Sequence, residues 1–269
     1  MERLRRRHDD ELIVVNASKS WSQQLEAWAI PNEILEQAPT SPWIHPVEMF
    51  EVPSSLTLPV SSSTRLALDA LPVGGSVLDI GCGGGRGSMP LAHRAQLVIG
   101  VDHQEDMLLK FAEAAQARNV SHQEILGDWP ANAEDVPIAD VAIAHHVIYN
   151  VSDLEAFGIA MNSHARKRVV LEAPNRHPLA TLSDLWKHFW NLERPEGPTA
   201  QDALNVFREI GFDAKIEYFP DAPRQSISLE KQVEFTRIRL CLPESKDAEL
   251  REILVNRVEH PRELAAIWW

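Results

Sequence analysis

The stretch Val77-Leu78-Asp79-Ile80-Gly81-Cys82-Gly83-Gly84-Gly85-Arg86-Gly87 decides the fold class of this chain. It is an apolar run, typical of a β-strand, that ends in an acidic residue and opens into a glycine-rich loop. Helix-forming sequence from Met89 to Ala95 follows, and a second apolar run from Leu97 to Val101 ends at Asp102. A unit of strand, glycine loop, helix, strand and acid predicts a nucleotide-type site at the carboxyl edge of a parallel sheet.

The spacing of the glycines distinguishes two classes of ligand. A dinucleotide fingerprint G-x-G-x-x-G begun at Gly81 would need glycine where Arg86 stands, and one begun at Gly83 would need glycine where Ser88 stands. The spacing that fits is D-x-G-x-G-x-G, formed by Asp79, Gly81, Gly83 and Gly85. This motif resembles the first motif of the class I S-adenosylmethionine-dependent methyltransferases, in which the loop wraps an amino-acid tail and a ribose.

Composition and length restrict the possible partners. The 269 residues are enough for one large domain with insertions and an ample core. A formal net charge of −13 disfavours a nucleic-acid partner. The two cysteines, Cys82 and Cys241, form neither a metal-ligand pair nor a disulfide framework, which indicates a reducing compartment. No apolar run has transmembrane length and the N-terminus lacks a signal-peptide core, so we expect a cytoplasmic protein that does not bind membranes.

The order of apolar and helical segments predicts the architecture. Further strands are expected at 121–126, 139–144 and 168–172, separated by helices. The second of these is almost continuously apolar, as a strand buried on both faces should be. Alternating strands and helices predict a doubly wound α/β sheet. The resemblance implies a Rossmann-like, mostly parallel sheet of seven strands, whose last strand, at 264–269, lies antiparallel between the fifth and sixth.

Segments outside this pattern are predicted to form a helical cap. We divide the chain into an N-terminal helical cap segment at 1–60, a cofactor-binding core at 61–174 and a cap insertion at 175–198. A second core segment at 199–221, a helical insertion at 222–260 and the last core strand at 261–269 follow. The cap is rich in aromatic residues, among them Trp21, Trp28, Trp43, Trp186, Phe189 and Trp190. They either line a cavity for a small or medium apolar or aromatic metabolite, or are only the apolar side of amphipathic helices.

The resemblance implies a set of residues that bind S-adenosyl-L-methionine. Asp102 matches the ribose-binding acid, and Met107 matches a residue that packs on the adenine face. Asp128 and Trp129 match an acid–aromatic pair that hydrogen-bonds and stacks on adenine. Two structural alternatives stay open, because Met107 could be a core residue and Trp129 could fill a turn. The complete implied set is Asp79, Gly81, Cys82, Gly83, Gly85, Asp102, His103, Met107, Asp128, Trp129 and His145.

Two adjacent histidines are the candidates for catalysis. The segment from Asp140 to Tyr149 resembles the family's fourth motif, whose strand ends below the sulfonium. Methyl transfer is an in-line displacement, and a nucleophile that carries a proton needs a base unless the proton leaves to solvent. We predict that His146, or failing that His145, is this base or a positioning group, although a purely structural role stays open. Tyr149 and Asn150 are secondary candidates, and no metal-ligand pattern is seen near this edge.

The predicted function is therefore S-adenosylmethionine-dependent methyl transfer to a small or medium-sized metabolite. Two alternatives remain at this point. One is a non-catalytic protein that binds S-adenosylmethionine as a sensor or scaffold. The other is a nicotinamide-dependent oxidoreductase, which the residues at positions 86 and 88 argue against. Two questions stay open from the sequence: which type of atom is methylated, and the oligomeric state.

Overall fold

The computed structural model describes residues 16–42, 60–221, 228–257 and 262–269, and these contain seven strands and nine α-helices. The strands are β1 Gly75–Ile80, β2 Ala95–Asp102, β3 Ser121–Leu126, β4 Ala139–His145, β5 Ala165–Pro174, β6 Lys215–Pro220 and β7 Glu263–Trp268. The helices are α1 Ala17–Glu26, α2 Asn32–Leu35, α3 Ser62–Ala70, α4 Glu105–Gln116, α5 Leu154–Ser163, α6 Ser183–Trp190, α7 Ala200–Glu209, α8 Leu229–Arg239 and α9 Asp247–Asn256. None of these helices is long and apolar enough to cross a bilayer.

The seven strands form one sheet in the order β3-β2-β1-β4-β5-β7-β6. Strands β1 to β5 pair in parallel, whereas β7 lies antiparallel between β5 and β6. The predicted doubly wound, mostly parallel sheet is therefore confirmed, as is the position of the last strand. The strand order reverses between β1 and β4, and in open α/β sheets ligands bind at the carboxyl ends of the strands beside such a switch point.

The central strands are buried because helices cover both faces of the sheet. Along β1, Leu78 and Ile80 belong to one apolar cluster, while Val77 belongs to the cluster on the opposite face. This alternation follows from the two-residue period of a strand. Every apolar residue of β4 is fully buried, which explains its near-continuous apolar sequence.

The helix expected from Met89 to Ala95 is not formed. A single 3-10 turn occupies Met89–Leu91, and β2 begins at Ala95. Only residues 81–94 connect the carboxyl end of β1 to the amino end of β2, and the glycine loop uses about half of them. An α-helix rises about 1.5 Å per residue against about 2.0 Å for a 3-10 turn, so the remaining residues are too few for a returning helix.

A third apolar cluster lies outside the sheet, and we call it the cap cluster. Its buried residues come from the segment before α2, from α2, α6, α8 and α9, and from the turn after α8. They are Ile30, Ile34, Leu185, Trp186, Val233, Leu240, Cys241, Leu242 and Leu250. The segment with α8 and α9 leaves and re-enters the sheet at the carboxyl edge, where the Asp221 N–H donates to the Arg262 carbonyl. Trp43, included in the expected cap, lies outside the described residues.

Candidate functional site

The glycine loop folds back onto the end of β2. The Gly81 and Cys82 N–H groups both donate to the Val101 carbonyl, at 2.8 and 3.1 Å. The Gly83 N–H donates to Oδ2 of Asp102 at 2.9 Å. Gly81 has φ of +64°, and a Cβ there would lie 2.6 Å from the Val147 side chain. Only glycine accommodates both the left-handed backbone and this close approach.

Asp102 is the acid that anchors this loop. Its carboxylate is buried, and its second oxygen accepts the Gln104 N–H at 3.0 Å. A carboxylate has about four acceptor positions, so these two backbone bonds leave capacity for the hydroxyls of a ribose. The adjacent His103 is exposed, and its Nδ1 lies 3.7 Å from Asp102. Met107, from the first turn of α4, is buried within the core beneath.

Asp79 and Cys82 act inside the loop. Asp79 is almost completely buried and accepts a hydrogen bond of 2.6 Å from the Ser88 hydroxyl, which joins the far end of the loop to β1. Burial raises the pKa of Asp79 to about 7, although the Ser88 hydrogen bond lowers it. The Cys82 thiol packs toward Gly100 and Phe111, and burial raises its pKa well above the ordinary value. Cys82 therefore presents backbone, and no reactive thiolate, to a ligand.

The two candidate residues after β3, Asp128 and Trp129, have different surroundings. Asp128 is exposed, consistent with access to a ligand. The Trp129 ring instead packs edge-on against His164, with centroids 5.0 Å apart, and its buried indole N–H has no hydrogen-bond partner among the described residues. His164 immediately precedes β5, at the amino edge of the sheet. This contact favours the alternative in which Trp129 fills a turn.

A cluster of two serines, two histidines and one glutamate occupies the ends of β4 and β5. Glu172 is buried, and its Oε2 accepts hydrogen bonds from the hydroxyls of Ser61, at 3.0 Å, and Ser63. Its Oε1 faces Nδ1 of His145 at 3.9 Å and Nε2 of His146 at 3.4 Å. The His146 side chain is 42% exposed, whereas that of His145 is 14% exposed. The two candidate histidines therefore differ in access but share one carboxylate.

The charges of this cluster follow from its contacts. Burial raises the pKa of Glu172, but the two imidazoles and the Ser63 hydroxyl outweigh that effect and hold the pKa well below its usual range. Burial lowers the pKa of His145, against an opposing contribution from Glu172. His145 also lies beside the glycine loop, because a Cβ on Gly87 would be 3.1 Å from its ring. Glu172 is therefore an anion at neutral pH, and polar groups of the serines and histidines face its two oxygens.

Sequence reasoning did not identify Glu172, Ser61 or Ser63. The one available signal was an acid at the end of an apolar strand, the same signal that Asp79 and Asp102 give. Within the described residues, no group of three or more His, Cys, Asp or Glu side chains is arranged to hold a metal ion. Tyr149 donates its hydroxyl to the Pro174 carbonyl at 2.9 Å, a structural contact that joins the ends of β4 and β5.

The site fits S-adenosylmethionine by the chemistry of its polar groups. Gly81 and Gly87 let the loop pack closely against its neighbours, because a Cβ at these positions would lie 2.6 Å from Val147 and 3.1 Å from His145. The buried Asp102 has acceptor capacity for two hydroxyl groups. These features suit a ribose next to a backbone loop, and nothing in the loop is arranged for a pyrophosphate at a helix N-terminus, because no helix follows it.

Comparison with known proteins finds a methyltransferase domain in part of the chain. A family model described as a methyltransferase domain matches residues 77–167. An uncharacterised protein of Haemophilus influenzae is 36% identical over 97 residues, and the match spans only 36% of this chain and 36% of that relative. The chain thus spans about a third of the curated relative that it matches.

Solved structures share the fold at low sequence identity. The YcgJ protein from Bacillus subtilis aligns with a TM-score of 0.52 and 16% identity, over 77% of this chain and 96% of that one. Magnesium protoporphyrin IX methyltransferase from Synechocystis, with bound S-adenosylhomocysteine, aligns with a TM-score of 0.50 and 20% identity, over 88% and 93% of the two chains. Within residues 77–167, which hold the glycine loop and Asp102, the chain is therefore similar to a methyltransferase domain.

Proposed function

We propose that this protein transfers a methyl group from S-adenosylmethionine to a hydroxyl or amine of a small or medium-sized metabolite. The observation that carries the proposal is the hydrogen bond from the Gly83 N–H to Asp102, which joins the glycine loop to the acid after β2. It prepares one surface for a ribose and an amino-acid tail. The net charge of −13 disfavours a nucleic acid as the methyl acceptor.

The aromatic residues of the cap give less support to a lined cavity. Trp21, Trp28 and Trp186 are all buried, with exposed fractions of 0%, 3% and 0%. Trp21 belongs to the main core and Trp186 to the cap cluster. Trp21 and Trp186 are on the apolar sides of packed helices, and Trp28 is buried in the connection after α1. The proposal therefore rests on polar chemistry at the sheet edge and leaves the shape of the acceptor open.

The residues of the chain supply orientation and a proton acceptor. Bound S-adenosylmethionine supplies a methyl group on a positively charged sulfur and its own neutral leaving group. Asp102 and the glycine loop hold the ribose and tail, which fixes the direction of the methyl group. An acceptor in line with this methyl group would take up the methyl group while its own proton passes to His146. His146 is the more accessible of the two histidines.

The proposal is tested first by cofactor binding. Asp102→Asn keeps the shape of the side chain but removes the charge that accepts the ribose hydroxyls. A charge-assisted hydrogen bond contributes about 1.5–3 kcal/mol, so we expect calorimetry to show affinity for S-adenosylhomocysteine at least about tenfold weaker. Asp106→Asn, an exposed acid in the first turn of α4, is the matched control and should bind like wild type.

Two results would contradict the proposal. Equal affinity of wild type and Asp102→Asn would show that Asp102 does not bind the ribose. No binding by the wild type would show that S-adenosylmethionine is not the cofactor. If the cofactor binds, turnover is measured as S-adenosylhomocysteine formed with a panel of small alcohols, phenols and amines. Binding without transfer to any of them would favour the non-catalytic alternative.

A further inference from the structure

The two oxygens of Glu172 have separate sets of partners. Oε2 accepts from the Ser61 and Ser63 hydroxyls, while Oε1 faces the two imidazoles. Ser63 is fully buried and Ser61 is the N-cap of α3, so both hydroxyls are held by the start of a helix. Because the serines occupy one oxygen, the carboxylate cannot turn, and the other oxygen stays directed at the histidines.

His146 contacts Glu172 through both its backbone and its side chain. Its N–H donates to the Glu172 carbonyl at 2.7 Å, and its Nε2 lies 3.4 Å from the carboxylate. The residue also has φ of +61°, in the left-handed region that non-glycine residues seldom adopt. Strained backbone of this kind is found preferentially at functional sites, because surrounding contacts must hold it in place. Here those contacts come from Glu172.

We propose that Glu172 is the positioning residue that holds the exposed His146 imidazole as its Nε2–H tautomer and leaves Nδ1 to accept the proton of the methyl acceptor. The inference deepens the function proposed above and rests on it. An ionised carboxylate only accepts hydrogen bonds, so the ring nitrogen facing it must carry hydrogen. The lone pair of a neutral imidazole is then on the opposite side, at Nδ1. Ser61 and Ser63 act one step further away by fixing the carboxylate.

A second glutamate that accepts a hydrogen bond from α3 provides a matched comparison. Glu217, on β6, accepts a hydrogen bond of 2.7 Å from the Ser62 hydroxyl of α3. Its other oxygen pairs with Arg65, at 2.9 Å, rather than with a histidine. Removing the charge of Glu217 therefore disturbs a serine–glutamate contact at the start of α3 without touching His146. An effect of Glu172 that is only structural should be shared by Glu217.

The experiment measures the tautomer of His146 directly in the full-length protein by ¹⁵N NMR of labelled imidazoles. The His146 signals are assigned with His146→Gln, and wild type is compared with Glu172→Gln and Glu217→Gln in the neutral imidazole form. In Glu172→Gln the serines should keep the amide oxygen, which turns the amide N–H₂ toward Nε2. A donor at that position favours the Nδ1–H tautomer, so the ratio of Nε2–H to Nδ1–H should fall at least tenfold. Wild type and Glu217→Gln should both remain Nε2–H.

Each result decides the proposal. An unchanged ratio in folded Glu172→Gln, or a wild type that is Nδ1–H, would overturn it. Should Glu172→Gln fail to fold, Glu172→Asp withdraws the carboxylate by one methylene, and its ratio must fall to that of free histidine. The measurement needs no cofactor, so it fails or succeeds separately from the binding test at Asp102. With an acceptor in hand, Glu172→Gln should lower kcat about 10²-fold with KM for S-adenosylmethionine unchanged.

Discussion

At the scale of single residues, Asp79 shows a conflict between stability and the site. Its carboxyl is about 1% exposed, its hydrogen bonds come from Ser88, and the charge of Asp102 lies nearby. Burial is the largest cause of the raised pKa, followed in the same direction by Asp102. Active sites commonly keep such unfavourable groups because the ligand requires them. Asp79 holds the glycine loop closed at its far end, and the folded protein tolerates a group that prefers to be neutral.

The pH dependence of stability tests this account. The pKa of Asp79 rises from 3.8 to about 7 on folding, so between these values the folded state keeps a proton that the unfolded state releases. Stability attributable to this group is therefore present below pH 4 and is lost as pH rises toward 7. Asp79→Asn cannot ionise, so we expect its melting temperature relative to that of wild type to be higher at pH 8 than at pH 5. The difference corresponds to a few kcal/mol, because each pKa unit is about 1.4 kcal/mol.

The comparison is made by thermal unfolding at both pH values, with Asp106→Asn as an exposed control. A constant difference between Asp79→Asn and wild type across this range would show that Asp79 does not titrate there. Asp79→Asn should also bind S-adenosylhomocysteine more weakly, if the acid serves the cofactor as the resemblance implies. Higher stability with weaker binding is the expected combination.

The residues of the site differ in how far the sequence predicts them. Asp102 and the glycines could be predicted from the sequence, because the spacing within one β–loop–β unit fixes their positions. Glu172 and Ser63 were not, since their contact joins residues 109 positions apart and depends on how α3 packs beside β5. Trp129 had two possible roles in sequence, and only the ring contact with His164 favours one of them. Local spacing predicts a site within one unit, whereas contacts between units require the fold.

At the scale of elements, Arg194 joins the segment after α6 to the segment after α1. Its guanidinium lies between two indole rings, 5.0 Å from Trp28 and 5.2 Å from Trp186. It also donates to the Trp28 and Ala29 carbonyls. The Trp28 ring in turn stacks on His177 at 4.0 Å, and burial, followed by the charge of Arg194, lowers the pKa of His177 to about 4. A neutral His177 ring thus continues the stack toward the carboxyl edge.

Replacing Arg194 should loosen these two segments without affecting the sheet. Lysine keeps the charge but has no planar group to lie between two rings or to bond two carbonyls at once. A partly desolvated cation–π contact contributes about 0.5–2 kcal/mol. In Arg194→Lys we therefore expect roughly tenfold faster amide hydrogen exchange in residues 28–35 and 183–190. Arg65→Lys, which alters only exposed ion pairs with Asp69 and Glu217, should leave those rates unchanged.

Exchange that is equally fast in β1 and β4 of Arg194→Lys would contradict a local role for this arginine.

The elements themselves were largely predictable, because apolar runs fixed the strands within a few residues. The helix expected after the glycine loop was the exception. Its composition favoured a helix, but the short distance in sequence between β1 and β2 left no room for one. The number of residues between β1 and β2 determines that a 3-10 turn forms in place of a helix, and local helix propensity does not contain that information.

At the scale of the whole molecule, the described residues bury their apolar side chains in separate clusters. Two clusters lie on the two faces of the sheet, and the cap cluster has a core of its own, centred on Trp186 and Leu250. Segments with separate cores can open separately, with free energies below that of global unfolding. A lid over a carboxyl-edge site is expected to come from such a less stable part. We therefore expect α6, α8 and α9 to open as one unit while the sheet stays folded.

A pair of identical substitutions tests this separation. Leu250 and Leu171 are both buried, one in the cap cluster and one in a cluster of the sheet. Truncating a buried leucine to alanine costs about 2–5 kcal/mol. Leu250→Ala should lower the exchange protection of 229–256 while that of 139–145 stays at the wild-type value, whereas Leu171→Ala should lower protection in both. If Leu250→Ala reduces protection in 139–145 equally, sheet and cap unfold together, and the cap cannot open over the site without unfolding the protein.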